Sequence, residues 1–189
     1  MLFIFMQKRK KLTRMFTIVA LVGVGLILTF FLLEGKKYIF SSYENAAFGF
    51  RIHYPSHWTL EENKNGAAVI FYSPLDHDLD YFKDNVTVVV QDNPKDLTLS
   101  EYTDLAIKQM QVVFTENFVI LESGPATLNG RPAHKLVFLG KGPDIELKYL
   151  IVWALDGSKA YQISYLSLSS AYEQHLRKVE KMIGSFRIK

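Results

Sequence analysis

Residues 15–33 (MFTIVALVGVGLILTFFLL) form a run of nineteen without a charge, directly after Lys8, Arg9, Lys10, Lys11 and Arg14. As a helix rising about 1.5 Å per residue the run would extend roughly 28 Å, close to the roughly 30 Å hydrocarbon thickness of a bilayer. It therefore predicts a transmembrane helix. A secretory signal has a shorter apolar core, about 7 to 15 residues, and a small-residue cleavage site. Here the run passes into Leu32-Leu33-Glu34-Gly35-Lys36, which offers no such site, so the span is expected to stay on the chain. Five basic residues precede it and only Lys36 and Lys37 follow closely. Cytoplasmic flanks carry the Lys and Arg excess, so the expected location is the cell membrane, single-pass, with the N-terminus cytoplasmic and the rest extracytoplasmic. A basic run also suits nucleic acid or anionic lipid, but topology accounts for this one without a partner.

The chain then divides into a basic N-terminus (1–14), the anchor (15–33), a linker (34–42) and one extracytoplasmic domain (43–189) of ordinary size. Residues 38–43, at the linker's end, are a place where an edge strand can form. Cysteine is absent, so a lipidated cysteine is excluded as the anchor and burial, not disulfides, must hold the domain together. Setting aside the five N-terminal cations leaves 17 of the 22 basic residues against all 19 acidic ones. That slight negative excess argues against nucleic acid as the domain's target.

Strand signals dominate the domain. Residues 48–54 alternate, with Phe48, Phe50, Ile52 and Tyr54 on one face and Gly49, Arg51 and His53 on the other. Residues 67–72 and 86–91 are short, apolar and β-branched, as strands covered on both faces tend to be. Asn129-Gly130 and Asp156-Gly157 supply the positive φ angles of tight hairpin turns. The first turn joins 118–128 to 131–140, and the second joins 147–155 to 159–166. Two segments switch to a helical period. Thr98 and Glu101 form a capping box ahead of the apolar face Leu99, Tyr102, Leu105, Ala106, Met110, Val113 and Phe114. Ser170 and Glu173 repeat the device ahead of Tyr172, Leu176, Val179, Ile183 and Phe186. The predicted fold class is α+β: an antiparallel sheet with two main helices on its faces.

Phe48-Gly49-Phe50-Arg51-Ile52-His53-Tyr54-Pro55-Ser56-His57-Trp58 resembles the opening strand and turn of the PsbP-like domain, where an F-x-I-x-Y-P-x-x-W pattern recurs. Further pieces match in the same order: Phe71-Tyr72-Ser73-Pro74, Asn85-Val86, Leu97-Thr98-Leu99-Ser100-Glu101-Tyr102, Leu128-Asn129-Gly130-Arg131-Pro132-Ala133 and Phe186-Arg187. The resemblance implies an α-β-α sandwich around an antiparallel sheet and a non-enzymatic, accessory role. The named member of that family is an extrinsic subunit of photosystem II that supports its calcium and chloride requirement. Cyanobacterial relatives are held by a lipidated cysteine and plant ones carry a cleaved transit region, whereas this chain has a protein span instead.

Candidate chemistry is sparse. Asp76, His77, Asp78 and Asp80, with Asp84 beyond them, crowd one loop, and such oxygen-rich loops can hold calcium or another divalent cation weakly. The spacing departs from a calcium loop, with Tyr81 where glycine is required and Thr87 where glutamate is required, so a solvated acidic loop is the other reading. His53 and His57 stand four apart, but Pro55 lies between them, so they straddle a turn and not one helix face. No G-x-S-x-G, no S-x-x-K and no glycine-rich phosphate loop occurs, and no cofactor is expected. Two readings remain: a tethered interaction module for an integral membrane complex or exported protein, and an exported ion- or small-molecule-binding domain.

Overall fold

The computed structural model describes residues 39–75, 82–93, 96–141 and 145–189. The expected span at 15–33 lies outside that set, and among the described residues no helix is long and apolar enough to cross a membrane. Tight turns order the strands. Asn129 and Gly130 take φ of 53° and 72°, joining β6 (Phe118–Leu128) to β7 (Arg131–Lys141) as expected. Between β8 (Glu146–Asp156) and β9 (Lys159–Leu168), Asp156 pairs with Lys159, so the two central residues are Gly157 and Ser158. Of these Gly157 alone has positive φ, 57°, which fits a type II′ turn, with glycine at its first central position.

A third turn, Asn65-Gly66, with φ of 53° and 80°, joins β3 (Thr59–Lys64) to β4 (Ala67–Tyr72). With β5 (Asn85–Asp92) these strands build a seven-stranded sheet in the order β3-β4-β5-β9-β8-β7-β6, antiparallel throughout. The segment read as the opening strand is not part of it. β2 (Phe50–Pro55) pairs instead with β1 (Phe40–Asn45) and with the short last strand β10 (Arg187–Ile188) in a separate three-stranded sheet. Alternation shows that a strand has an inner face but does not show which sheet it joins. β1 forms where an edge strand was expected, so the domain begins at Ile39, inside the expected linker.

Helix α1 (Leu99–Phe114) carries the predicted capping box: Glu101 N–H donates to Thr98 Oγ1, and Thr98 N–H donates to Glu101 Oε2. It covers one face of the large sheet, where Tyr102, Ala106, Leu136, Phe138, Ile151, Trp153 and Ala160 form a core. Leu105 and Val113, expected on its inner face, are exposed. Helix α2 (Tyr172–Ser185) begins at Ala171, which makes no side-chain cap bond, so the cap expected from Ser170 does not form. Its buried side is Tyr172, His175, Val179 and Met182; Leu176 and Ile183, expected in the apolar stripe, are half-buried. α2 and the small sheet together cover the opposite face, over Val69, Phe71, Val86, Val88, Ile163 and Tyr165. Phe186, just past the helix, stacks on Phe50 with ring centroids 5.4 Å apart.

Candidate groove and the buried polar node beside it

The register of the sheet decides which charges share a face. Lys135 pairs with Val152, Val137 with Leu150, and Leu139 with Lys148. Alternate side chains project to opposite faces, so Lys135, Val137, Lys148, Leu150 and Val152 all project toward the α2 side. α2 packs on β2 and β9, which leaves a groove of about 430 Å³ between the helix and strands β6–β8. Its apolar floor is Val137, Leu150 and Val152 from the sheet and Leu176 and Ile183 from the helix. Tyr172, Leu176, Glu180 and Ile183 recur at helical spacing along its inner wall.

Charges rim this floor. Lys135 Nζ meets Glu122 Oε2 at 2.8 Å across β6 and β7. Lys148 Nζ lies 3.5 Å from Glu173 Oε1 and 4.0 Å from the centroid of the Tyr172 ring. Burial, then the carboxylates of Glu173, Glu122 and Glu180, hold the Tyr172 phenol above its usual range. Three carboxylates thus bear on one point of a groove whose two lysines are already engaged. Such a surface suits an apolar segment carrying a cation, because the floor offers area to bury and the rim offers negative potential.

A buried polar node sits beside the groove. Tyr165 Oη on β9 lies 2.6 Å from Asp84 Oδ2 and 3.0 Å from the Tyr172 carbonyl oxygen. His175 Nδ1 on α2 approaches the same Asp84 oxygen at 3.3 Å. Burial and the Asp84 carboxylate push the Tyr165 phenol far up. Trp58 packs edge-on against the His175 ring, centroids 5.5 Å apart, and its buried Nε1 has no hydrogen-bond partner among the described residues. The node ties β9, α2 and the segment before β5 together.

Asp76, His77, Asp78 and Asp80 lie outside the described residues, as does any site they would form. Asp84, the last acid of that segment, is buried in the node and serves Tyr165. His53 and His57 are exposed on either side of the buried Pro55. Burial, then Lys178 and His175, hold the His57 imidazole below its usual range. Among the described residues no three His, Asp or Glu side chains gather as a metal site would need. Neither the groove nor the node was read from the sequence. Lys135 and Lys148 were the available signal for the groove, since each interrupts the apolar register of a strand that is buried beyond it.

The PsbP family model matches residues 39–188. The fold resembles the solution structure of cyanobacterial PsbP (CyanoP) from Synechocystis sp. PCC 6803, with TM-score 0.62 and 18% identity over 82% of this chain and 96% of that one. It also resembles LpqN, involved in cell envelope biogenesis of Mycobacterium tuberculosis, with TM-score 0.56 and 11% identity over 82% and 87% of the two chains. A third similar structure is PA94 from Pseudomonas aeruginosa, a protein of unknown function, with TM-score 0.55 and 10% identity over 75% and 92%. No curated protein matches the chain.

Proposed function

The chain belongs to the PsbP family, and on that premise we propose that it is a non-catalytic accessory module held at a membrane by residues 15–33. In this reading the domain from Ile39 onward works on the outer face, and the α2 groove receives a segment of an integral membrane complex or of another exported protein. The observation that carries it is the groove itself, with its floor of Val137, Leu150, Val152, Leu176 and Ile183 under a rim of mixed charge. Tethering supports the reading because confinement to one bilayer raises the effective concentration of a partner, so a modest contact surface suffices.

Photo-crosslinking in native membranes tests it. A photoreactive residue at Leu176 is expected to give a discrete adduct that Glu180→Lys abolishes, while one at the exposed Gln174 gives none. Equal adducts from both positions, or none from either, would overturn the groove as the contact. Topology has a separate check: protease added outside intact spheroplasts is expected to digest the domain, and full protection would reverse the orientation.

The groove's size favours one further reading. About 430 Å³ falls within the roughly 300–1,000 Å³ of small-molecule pockets, so a metabolite is the alternative occupant. Mass spectrometry of the natively purified chain decides between them, since a stoichiometric small molecule lost with Leu150→Trp would replace the protein segment.

A further inference from the structure

Strand register sorts the domain into two ends of opposite character. At one end the chain turns through Asn65-Gly66, Asn129-Gly130 and Gly157-Ser158, all small or polar. The other end is where Thr59, Tyr72, Asn85 and Leu166 stand in neighbouring strands, followed by Leu147, Gly140 and Phe118. Phe40, opposite Pro55, brings the start of β1 to this same end, where Ser56 N–H donates to the Ile39 carbonyl. α1 arrives there too, since Phe114 lies against Gly140 and stacks near Phe118.

The exposed large apolar side chains concentrate at this second end. Ile39 is 74% exposed, and Leu75, just past the end of β4, is exposed as well. On the far flank, Val112 and Val113 are 77% and 74% exposed in the last turn of α1, and Val119, Ile120 and Leu121 are exposed just into β6. Leu105, midway along α1, is the one other such residue among the described residues.

We propose that this end of the domain is a lipid-contacting face, on which the domain stands with its strands steeply inclined to the bilayer. The proposal rests on the reading of residues 15–33 as an anchor. Two observations select a bilayer as the occupant. First, the chain enters the domain at this end, at Ile39, with only residues 34–38 between it and residue 33, and the six steps from 33 to 39 extend at most roughly 22 Å. Second, the apolar side chains do not line a groove. β4 and β6 are five strand spacings apart in the sheet, roughly 24 Å at about 4.8 Å each, so the two flanks present a broad surface and not a cleft, the shape that a bilayer meets. The contact is apolar, so it needs no anionic lipid.

The absence of native cysteine permits site-directed nitroxide labelling of the full chain in phosphatidylcholine nanodiscs. Labels on Val113→Cys and Ile120→Cys are expected to be accessible to oxygen and at least threefold less accessible to a water-soluble nickel complex than one on Asn65→Cys. Equal nickel accessibility at all three positions would overturn the proposal. Protection of 113 and 120 that arises only after native membrane extract is added would overturn it in favour of a protein partner. Carbonate extraction separates the two readings: a chain that leaves the membrane overturns the anchor and this face together, whereas one that stays with water-exposed labels overturns the face alone.

Discussion

The Tyr165 hydroxyl and the Asp84 carboxylate meet at 2.6 Å in the interior, joining β9 and the segment before β5 to helix α2, whose His175 approaches the same carboxylate oxygen. Tyr165→Phe removes the donor and leaves Asp84 with a deficit that water cannot fill. The expected cost is roughly 1–3 kcal/mol, read as a lower Tm. Adding Asp84→Asn to Tyr165→Phe should cost less than the two single changes summed, because both act on the same bond. A fully additive double mutant would show that the pair is not coupled.

Trp153 Nε1 donates to Thr103 Oγ1 at 3.0 Å, with both residues buried, and so pins α1 to β8. Thr103→Val keeps the shape and deletes the acceptor. Chemical denaturation is expected to show a loss of roughly 1–3 kcal/mol, whereas Thr103→Ser, which keeps the hydroxyl, should recover most of it. Equal losses in both would assign the effect to the methyl group's packing.

A methyl group at Gly140 would stand 2.7 and 2.8 Å from two ring atoms of Phe114 and 3.1 Å from Tyr149. Phe114 is itself packed among Phe118, Phe138 and Tyr149, so its ring has little room to give. Gly140→Ala is expected to cost about 1–3 kcal/mol, and Gly140→Ala with Phe114→Leu should regain part of that. No loss of Tm in the single variant would refute the clash.

Burial is the leading cause that raises the phenol of Tyr43, to about 12, and those of Tyr72, Tyr102, Tyr149, Tyr161, Tyr165 and Tyr172 above their usual range. A raised pKa means the fold prefers the neutral phenol. The resulting stability is whole below the unfolded value near 10 and is lost as pH rises through the folded value. For Tyr43 that window is pH 10 to about 12. Absorbance at 295 nm is expected to show these tyrosines ionising together with unfolding in strong alkali. Independent titration of all of them near pH 10 in folded protein would contradict the burial.

Turn chemistry was the most legible feature, while of the two expected caps the one at Thr98 formed and the one at Ser170 did not. Asn129-Gly130 and the Thr98–Glu101 box act over a few residues, so the local chain determines them. β3 escaped notice because TLEENK lies at a sheet edge with little burial and therefore lacks apolar alternation, although Asn65-Gly66 marked its end. His175 escaped for the opposite reason. A helical stripe is read from apolar residues, and this polar one is buried only because Asp84 and Trp58 come from distant segments to meet it. The groove is a matter of where a helix stops covering a sheet, which depends on packing between elements and not on any local run.

The three-stranded sheet carries a consequence for the order of folding. β2 lies between β1 and the last strand, and Lys189 N–H donates to the Gly49 carbonyl. The part of the domain that is made first is thus completed by residues 186–189, at the other end of the domain's sequence. Contacts of such sequence separation form slowly and late. Until residues 186–189 arrive, Phe50 lacks Phe186 and β2 lacks one neighbour, so the small sheet stays unfinished. The small sheet therefore stays open on one side of β2 while the rest of the domain is being made.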